Sequence, residues 1–128
     1  MEPLLADLLQ ALDGLQARAE SIPIYSTVTG QLGHGLEFDA PYWARNMREP
    51  VLFSTAVQRL VEDGHDIFLE ISPHPILLSA MQQGFHHFGQ EGAVLPSLRR
   101  EEDEHTVLLG SLGALYTCLL YTSDAADE

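Results

Sequence analysis

The chain has 128 residues, which is enough for one small domain, and its formal net charge is −13 at pH 7. Such a negative surface argues against a nucleic-acid partner, whose phosphates bind basic faces, and against recruitment to anionic lipids. No apolar run reaches the length of about 20 residues that a membrane helix needs, so we expect no membrane partner.

The sequence also lacks the pattern of an exported protein. Glu2 and Pro3 follow the first methionine, where a signal peptide would carry a basic region and then an apolar stretch. Cys118 is the single cysteine, so no internal disulfide can form, which fits a reducing compartment. We therefore expect a cytoplasmic protein.

Hydrophobic periodicity, together with the glycines and prolines, predicts alternating helices and strands. In chain order, the elements are a helix over 3–15, a strand over 22–29, a helix that Asp39 caps and that runs through Asn46, a helix over 51–62, a strand over 67–71, a helix over 76–85, a strand over 93–98 and a helix over 101–116. This alternation predicts an α/β fold with a partly parallel sheet and helices on its faces.

Polar and small residues predict where two of the helices begin and end. Gly64 is expected to end the helix over 51–62, because glycine readily takes the left-handed conformation at a helix C-terminus. Ser72 follows the apolar strand over 67–71 and is expected to cap the helix that comes next.

Large apolar side chains predict the core. Trp43, Phe53 and Phe68 are expected to be core residues rather than a ligand platform. The apolar side of the last helix is expected to consist of Val107, Leu108, Leu112 and Leu115.

The histidines do not follow a metal-ligand pattern. His86 and His87 are adjacent, so they cannot face the same side of a helix. The motif H-E-x-x-H is not present in the sequence. We expect neither a bound metal nor a bound cofactor.

Four stretches carry a family signal in their order and spacing. They are IPIYSTVTG at 22–30, YWARNMREPVLF at 42–53, DGHDIFLEISPHPILLSAM at 63–81 and PSLRR at 96–100. Together they resemble the acyltransferase domains of modular type I polyketide synthases, which belong to the malonyl/methylmalonyl-CoA:acyl carrier protein transacylase family. The resemblance implies the C-terminal part of an α/β-hydrolase-like large subdomain, with a short, mostly parallel sheet flanked by helices.

The resemblance implies an enzyme that moves a malonyl-type extender unit in two displacements. The acyl group passes from coenzyme A to a serine, and then to the phosphopantetheine thiol of an acyl carrier protein, with a histidine as base. In the family, the serine lies in an upstream G-x-S-x-G motif, and the histidine lies a few residues before the segment that resembles residues 1–5. This chain contains no G-x-S-x-G, so we expect a fragment that begins after both groups and is inactive alone.

Asn46 is the candidate catalytic-site residue. The resemblance implies that the backbone carbonyl at this position accepts a hydrogen bond from the catalytic histidine, which leaves the other ring nitrogen free to act as base. His74 is expected to be a turn or helix-cap residue packed near the site, because the resemblance places the catalytic histidine elsewhere.

The resemblance also divides the chain. Residues 1–100 are expected to belong to the acyltransferase, residues 101–117 to a linker helix, and residues 118–128 to a non-native tail that resembles a translated sequencing adapter. The expected partners of the parent protein are an acyl carrier protein and the neighbouring ketosynthase and linker domains. A fragment of a fatty acid synthase-type malonyl transacylase and a small non-catalytic interaction domain are the alternatives.

Overall fold

The computed structural model describes the backbone of residues 2–126 and the side chains of residues 3–118, and the chain divides after Asp63 into two compact units. In chain order the elements are α1 (Glu2–Ala11), β1 (Ile24–Tyr25), β2 (Leu32–Gly33), a 3₁₀ turn (Gly35–Glu37), α2 (Ala40–Arg48), α3 (Phe53–Glu62), β3 (Ile67–Glu70), α4 (Leu78–Phe88), β4 (Ala93–Pro96) and α5 (Glu104–Ala126). The predicted α/β class and the order of the predicted elements are confirmed, with β2 and the 3₁₀ turn added.

The strand predicted over 22–29 is mostly a turn. Only β1 is extended and paired, and it runs antiparallel to β2. The Ser26 Oγ then accepts hydrogen bonds from the N–H groups of Val28 at 3.1 Å and Thr29 at 3.2 Å, which bends the chain back. Gly30, at φ +71°, closes this turn in the left-handed region.

The ends of α2 and α3 follow the sequence prediction. The Asp39 Oδ1 accepts the Tyr42 N–H at 2.9 Å, and Pro41 lies in the first turn of α2, where a missing N–H has no penalty. α3 ends at Glu62, and Gly64 has φ +92°, so the predicted glycine stop is confirmed.

The second unit contains a parallel strand pair, as predicted. Ile67 of β3 lies opposite Ala93 of β4, and Phe68 lies opposite Val94. The Phe68 ring packs edge-on against Phe85 of α4, with ring centroids 5.3 Å apart. A helix thus covers the sheet, as the α/β alternation requires.

The predicted Ser72 cap of the following helix is wrong. α4 begins at Leu78, after Leu77 in the N-cap position, and the Ser72 Oγ instead donates to the Glu70 carboxylate at 3.0 Å. The prolines at 73 and 75 keep the chain in a turn, so the helix starts later than Ser72 could cap.

Few side chains are buried in either unit. The buried apolar side chains are Val28, Tyr42, Ala56 and Val57 in the first unit, and Met81, Phe85 and Val107 in the second. Phe53 and Phe68 are half-buried, but Trp43, also predicted in the core, is 41% exposed. Because Tyr42 faces the core and successive helical residues are rotated by about 100°, Trp43 turns outward.

α5 begins later than predicted and ends beyond the predicted boundary. Glu101 has φ +65°, outside the helical region, so the helix cannot start there. The Asp103 Oδ1 accepts the Thr106 N–H at 2.8 Å just before the first full turn. The helix then continues without a break to Ala126.

The predicted apolar side of α5 is right only in part: Val107 is buried and Leu115 is half-buried, as predicted. Ser111 is also buried, and its Oγ donates to the Pro96 carbonyl at 2.6 Å. Leu108 and Leu112 are 49% and 59% exposed. The packed side of α5 therefore includes a serine whose hydroxyl donates to a carbonyl of β4. Hydrophobicity alone does not predict that a polar residue is buried there.

Candidate functional site

Asn46 lies near the C-terminal end of α2 and is half-buried. Together with Tyr42 and Trp43, it lines an open pocket of about 470 Å³. Phe38 packs edge-on against Tyr42 at 4.7 Å between ring centroids, and Tyr42 packs edge-on against Trp43 at 5.2 Å. These aromatic contacts orient the face of α2 that carries Asn46.

The backbone carbonyl of Asn46 lacks its usual helical donor. In an α-helix the donor would be the N–H of the fourth following residue, which here is Pro50 and has no N–H. The Glu49 N–H donates to the Arg45 carbonyl at 2.8 Å, one residue earlier. The position of Pro50 is visible in the sequence, so the sequence alone shows that the Asn46 carbonyl lacks this helical donor.

One turn holds α2 on both sides of Asn46. The Ser26 Oγ lies 2.8 Å from the Tyr42 Oη, and both residues are buried. The carbonyl of Thr27 accepts the Leu52 N–H at 2.7 Å, just after the end of the helix. The turn that begins at Ser26 thus contacts the chain before and after Asn46.

A second pocket, of about 370 Å³, lies at the C-terminal end of α2. Its lining residues are Leu5, Ala44, Arg45, Arg48, Glu49 and Pro50. α1 packs against α2, and Leu5 of α1 lines this pocket together with residues at the C-terminal end of α2.

Charged groups stabilise this end of α2. The Arg45 guanidinium donates two hydrogen bonds to the Glu49 carboxylate, at 2.9 Å and 3.0 Å. These bonds lower the pKa of Glu49 and raise the pKa of Arg45. Arg45 and Arg48 also complement the negative end of the helix dipole.

A close backbone approach forms part of the first pocket. The Gly35 N–H donates to the Glu20 carboxylate, and this bond lowers the pKa of Glu20. A Cβ on Gly35 would overlap the Arg18 carbonyl oxygen and the Glu20 nitrogen. Only glycine therefore fits between these two segments.

The sequence analysis missed Glu70, the buried carboxylate at the end of β3. Burial opposes its ionisation, but the N–H groups of Ile76 at 2.9 Å and Leu77 at 3.0 Å, with the Ser72 hydroxyl, lower its pKa. The signal that could have found it is an acidic residue between an apolar strand and a Ser-Pro turn.

His74 lies in the turn after β3. Its Nδ1 accepts the Arg100 N–H at 3.3 Å, which ties this turn to the segment after β4. Among the described side chains of residues 3–118, no group of three or more histidine, cysteine, aspartate or glutamate residues is arranged to hold a metal ion.

None of the helices described between residues 2 and 126 combines the length and apolar character that crossing a bilayer requires.

Comparison with protein families identifies one match. The family described as "Acyl transferase domain" matches residues 1–118. The matched residues include α2, the two pockets that α2 lines and the β3–β4 pair.

Similar sequences occur in very long proteins. Erythronolide synthase EryA2 of Saccharopolyspora erythraea is 47% identical over 95 residues, which cover 74% of this chain and 3% of that protein. Polyketide synthase GfsE of Streptomyces halstedii is 41% identical over 111 residues, which cover 87% of this chain and 3% of that protein.

Solved structures with the same fold are also known. The acyltransferase domain from module 8 of the salinomycin polyketide synthase superposes with a TM-score of 0.82 at 39% identity, over 87% of this chain and 26% of that one. A loading acyltransferase from the avermectin modular polyketide synthase gives a TM-score of 0.78 at 32% identity, over 89% of this chain and 36% of that one. The chain therefore spans about a quarter to a third of the solved domains that it resembles.

Proposed function

This chain belongs to the family of acyl transferase domains, and we propose that it forms one wall of an active site that transfers a malonyl-type acyl group in a polyketide synthase. The similarity to polyketide synthases of 41–47% identity supports the synthase type over a fatty acid synthase or an independent interaction module.

The proposed reaction has two displacement steps. In the first, a serine oxygen attacks the thioester carbon of the acyl-CoA, the carbon–sulfur bond breaks, and a histidine passes the serine proton to the departing thiolate. In the second, the phosphopantetheine thiol of an acyl carrier protein gives its proton to the histidine and attacks the carbonyl carbon of the acyl-serine. The bond between that carbon and the serine oxygen breaks, and the histidine passes the proton to the serine oxygen. The serine and the histidine belong to parts of the domain outside this segment.

The observation that carries the proposal is the Asn46 carbonyl. A catalytic histidine needs one ring N–H held by an acceptor, so that its other nitrogen stays unprotonated and acts as base. A carbonyl that Pro50 leaves without a helical donor is such an acceptor. Asn46 contributes this acceptor through its backbone, so its side chain takes no part in the proposed chemistry.

The packing of α1 supports the same assignment. Leu5 shares a pocket with Pro50, which puts the early part of α1 beside the end of α2. A histidine a few residues before α1 would therefore enter the site close to Asn46.

The extent of the acyltransferase segment and its partners are part of the proposal. Residues 1–100 form the acyltransferase wall, residues 101–117 the helix that leads to the next domain, and residues 118–128 a non-native tail. The family match covers residues 1–118, so it includes the helix segment together with the acyltransferase wall. The proposed partners are an acyl carrier protein and the neighbouring ketosynthase and linker domains, and the proposed location is the cytoplasm.

A chimera tests the proposed function. Residues 1–117 replace the matching segment in the acyltransferase domain from module 8 of the salinomycin polyketide synthase. We expect the purified chimera to acquire a serine-linked label from radiolabelled malonyl-CoA or methylmalonyl-CoA, and to pass it to an acyl carrier protein. A folded chimera that gains no label from either thioester would contradict the proposal.

Two substitutions in the chimera test the role of the carbonyl. Pro50→Ala supplies an N–H that can compete for the Asn46 carbonyl, so we expect kcat to fall about tenfold, since a positioned base contributes at least that much. Asn46→Ala keeps the carbonyl and is expected to lower kcat less than Pro50→Ala. The reverse order would assign the role to the amide side chain.

A further inference from the structure

The side chains of Ser26 and Tyr42 form one buried hydrogen bond, with 2.8 Å between the two hydroxyl oxygens. A serine hydroxyl offers two acceptor sites and one proton. The Ser26 oxygen also accepts the N–H groups of Val28 and Thr29, at 3.1 Å and 3.2 Å. The same hydroxyl therefore binds both the turn and Tyr42.

This bond ties α2 to a rigid turn. The Ser26 N–H donates to the Gln31 carbonyl at 2.8 Å, and the Ser26 carbonyl accepts the Gly30 N–H at 2.8 Å. A Cβ on Gly30 would come within 2.8 Å of the Thr55 Cγ2, so the turn also packs tightly against α3. The Ser26 hydroxyl is thus a fixed point within the first unit.

Tyr42 and Asn46 lie one helical turn apart on the same side of α2. Residues at this spacing are separated by about 6 Å along the axis, and a helix transmits a shift between them with little bending. The second tie, from the Leu52 N–H to the Thr27 carbonyl, fixes the chain after Asn46 but does not hold the helix itself. The contact at Tyr42 is therefore the hydrogen bond that ties the helix itself to the turn.

We propose that Tyr42, held by the Ser26 hydroxyl, is a positioning residue that sets the location of the Asn46 carbonyl for acyl transfer. The inference rests on the proposed function of that carbonyl. Tyr42 touches neither substrate nor catalytic base, and it acts only through α2.

Tyr42→Phe in the chimera described above tests the inference. The aromatic ring stays in the core, but the tyrosine hydroxyl that bonds to Ser26 is lost. The C-terminal end of α2 is then free to shift. We expect kcat to fall about tenfold, since a displacement below 1 Å at a catalytic contact suffices, while KM for the acyl-CoA stays within about twofold.

The pH profile separates a positioning role from a general loss of stability. An acceptor carbonyl stabilises the charged imidazolium and so raises the pKa of the catalytic histidine. When that contact weakens, the histidine pKa falls, and the acid limb of kcat/KM moves to lower pH. Tyr42→Phe is therefore expected to shift this limb downward.

Val57→Ala is the control. Val57 is buried in α3, so this variant destabilises the same unit and leaves the Ser26–Tyr42 hydrogen bond in place. We expect it to lower the melting temperature but to leave the acid limb in place. An equal shift of the limb in both variants would overturn the inference.

Ser26→Ala supplies a second, independent variant. If the two side chains act as one contact, the double variant Ser26→Ala/Tyr42→Phe has a kcat no lower than that of the more impaired single variant. Independent, multiplying effects, or a Tyr42→Phe chimera with parental kcat and pH profile, would overturn the inference. An inactive parental chimera would instead count against the proposed function, so the two failures are distinguishable.

Discussion

Glu70 accepts a hydrogen bond from the backbone N–H of Leu77 at 3.0 Å, so the last residue of β3 caps the first turn of α4. Its other carboxylate oxygen accepts the Ile76 N–H at 2.9 Å. The residue is 7% exposed, and its negative charge lies at the positive end of the helix dipole. This one side chain joins strand, turn and helix.

Glu70→Gln is expected to destabilise the second unit by about 1–3 kcal/mol, because an amide NH₂ replaces an acceptor opposite two backbone donors. The measurement is urea or thermal unfolding of the full chain. Glu62→Gln is the control, because Glu62 is an exposed residue of α3 whose ion pair with Arg59, at 3.4 Å, contributes about 0–1 kcal/mol. Equal losses in the two variants would refute the capping role.

The same carboxylate predicts a pH dependence. The pKa of Glu70 is lowered in the folded chain, so its stabilising contribution is present above the unfolded value of about 4.3 and is lost as the pH falls through the lower folded value. The difference in unfolding free energy between the unaltered chain and Glu70→Gln should be constant near neutral pH and should shrink below about pH 4. A difference that grows on acidification would contradict the assignment.

Asp39→Ala is expected to destabilise the first unit by about 1 kcal/mol, because the Tyr42 N–H loses its capping oxygen. Asp39→Asn keeps an acceptor of similar capping strength, so its free energy of unfolding should fall by only about a few tenths of a kcal/mol. Chemical unfolding monitored by circular dichroism measures both. If Asp39→Asn lowered the free energy of unfolding as much as Asp39→Ala, the negative charge of Asp39, and not its capping hydrogen bond, would account for the stabilisation.

Two glycine-to-alanine substitutions should have opposite signs. Gly35→Ala forces a Cβ against the Arg18 carbonyl and should destabilise by about 1–3 kcal/mol or more. Gly110 lies in α5, and among the described atoms none lies within 4 Å of its Cβ position. Gly110→Ala should therefore stabilise by about 1 kcal/mol through helix propensity. We expect the melting temperature to fall for Gly35→Ala and to rise for Gly110→Ala, and changes of the same sign would contradict the prediction.

The 128-residue chain alone is expected to gain no stable acyl label from radiolabelled malonyl-CoA or methylmalonyl-CoA. Its sequence has no G-x-S-x-G in which a serine would be presented to the thioester. Electrophoresis followed by autoradiography measures the outcome. Label that survives denaturation and maps to a serine would refute the prediction.

Capping residues made part of the fold predictable from the sequence. Asp39 and Gly64 act through local backbone geometry, which a short window of sequence contains. Ser26 belongs to a run of alternating β-branched residues, but its hydroxyl accepts the N–H groups of Val28 and Thr29 and so bends the chain. Ser72 failed as a cap because Pro73 and Pro75 keep the chain in a turn and α4 starts only at Leu78, after the N–H groups that Glu70 accepts.

The packing of exposed helix faces was not predictable. Hydrophobicity favoured Leu108 and Leu112 as the buried side of α5, whereas Val107 and Ser111 pack against β4. The deciding contact is a hydroxyl on the Pro96 carbonyl, which depends on where β4 lies in space. The role of Asn46 came from family resemblance, and it stays a prediction.

If the Asn46 carbonyl acts as proposed, the side chain that matters at this site is that of Pro50, because its missing N–H leaves the carbonyl without a helical donor. A mutational scan that replaces one side chain at a time would record tolerance at position 46 and intolerance at position 50. Annotation transfer that relies on the identity of side chains would then overlook the acceptor, because every residue at position 46 has the same backbone carbonyl oxygen.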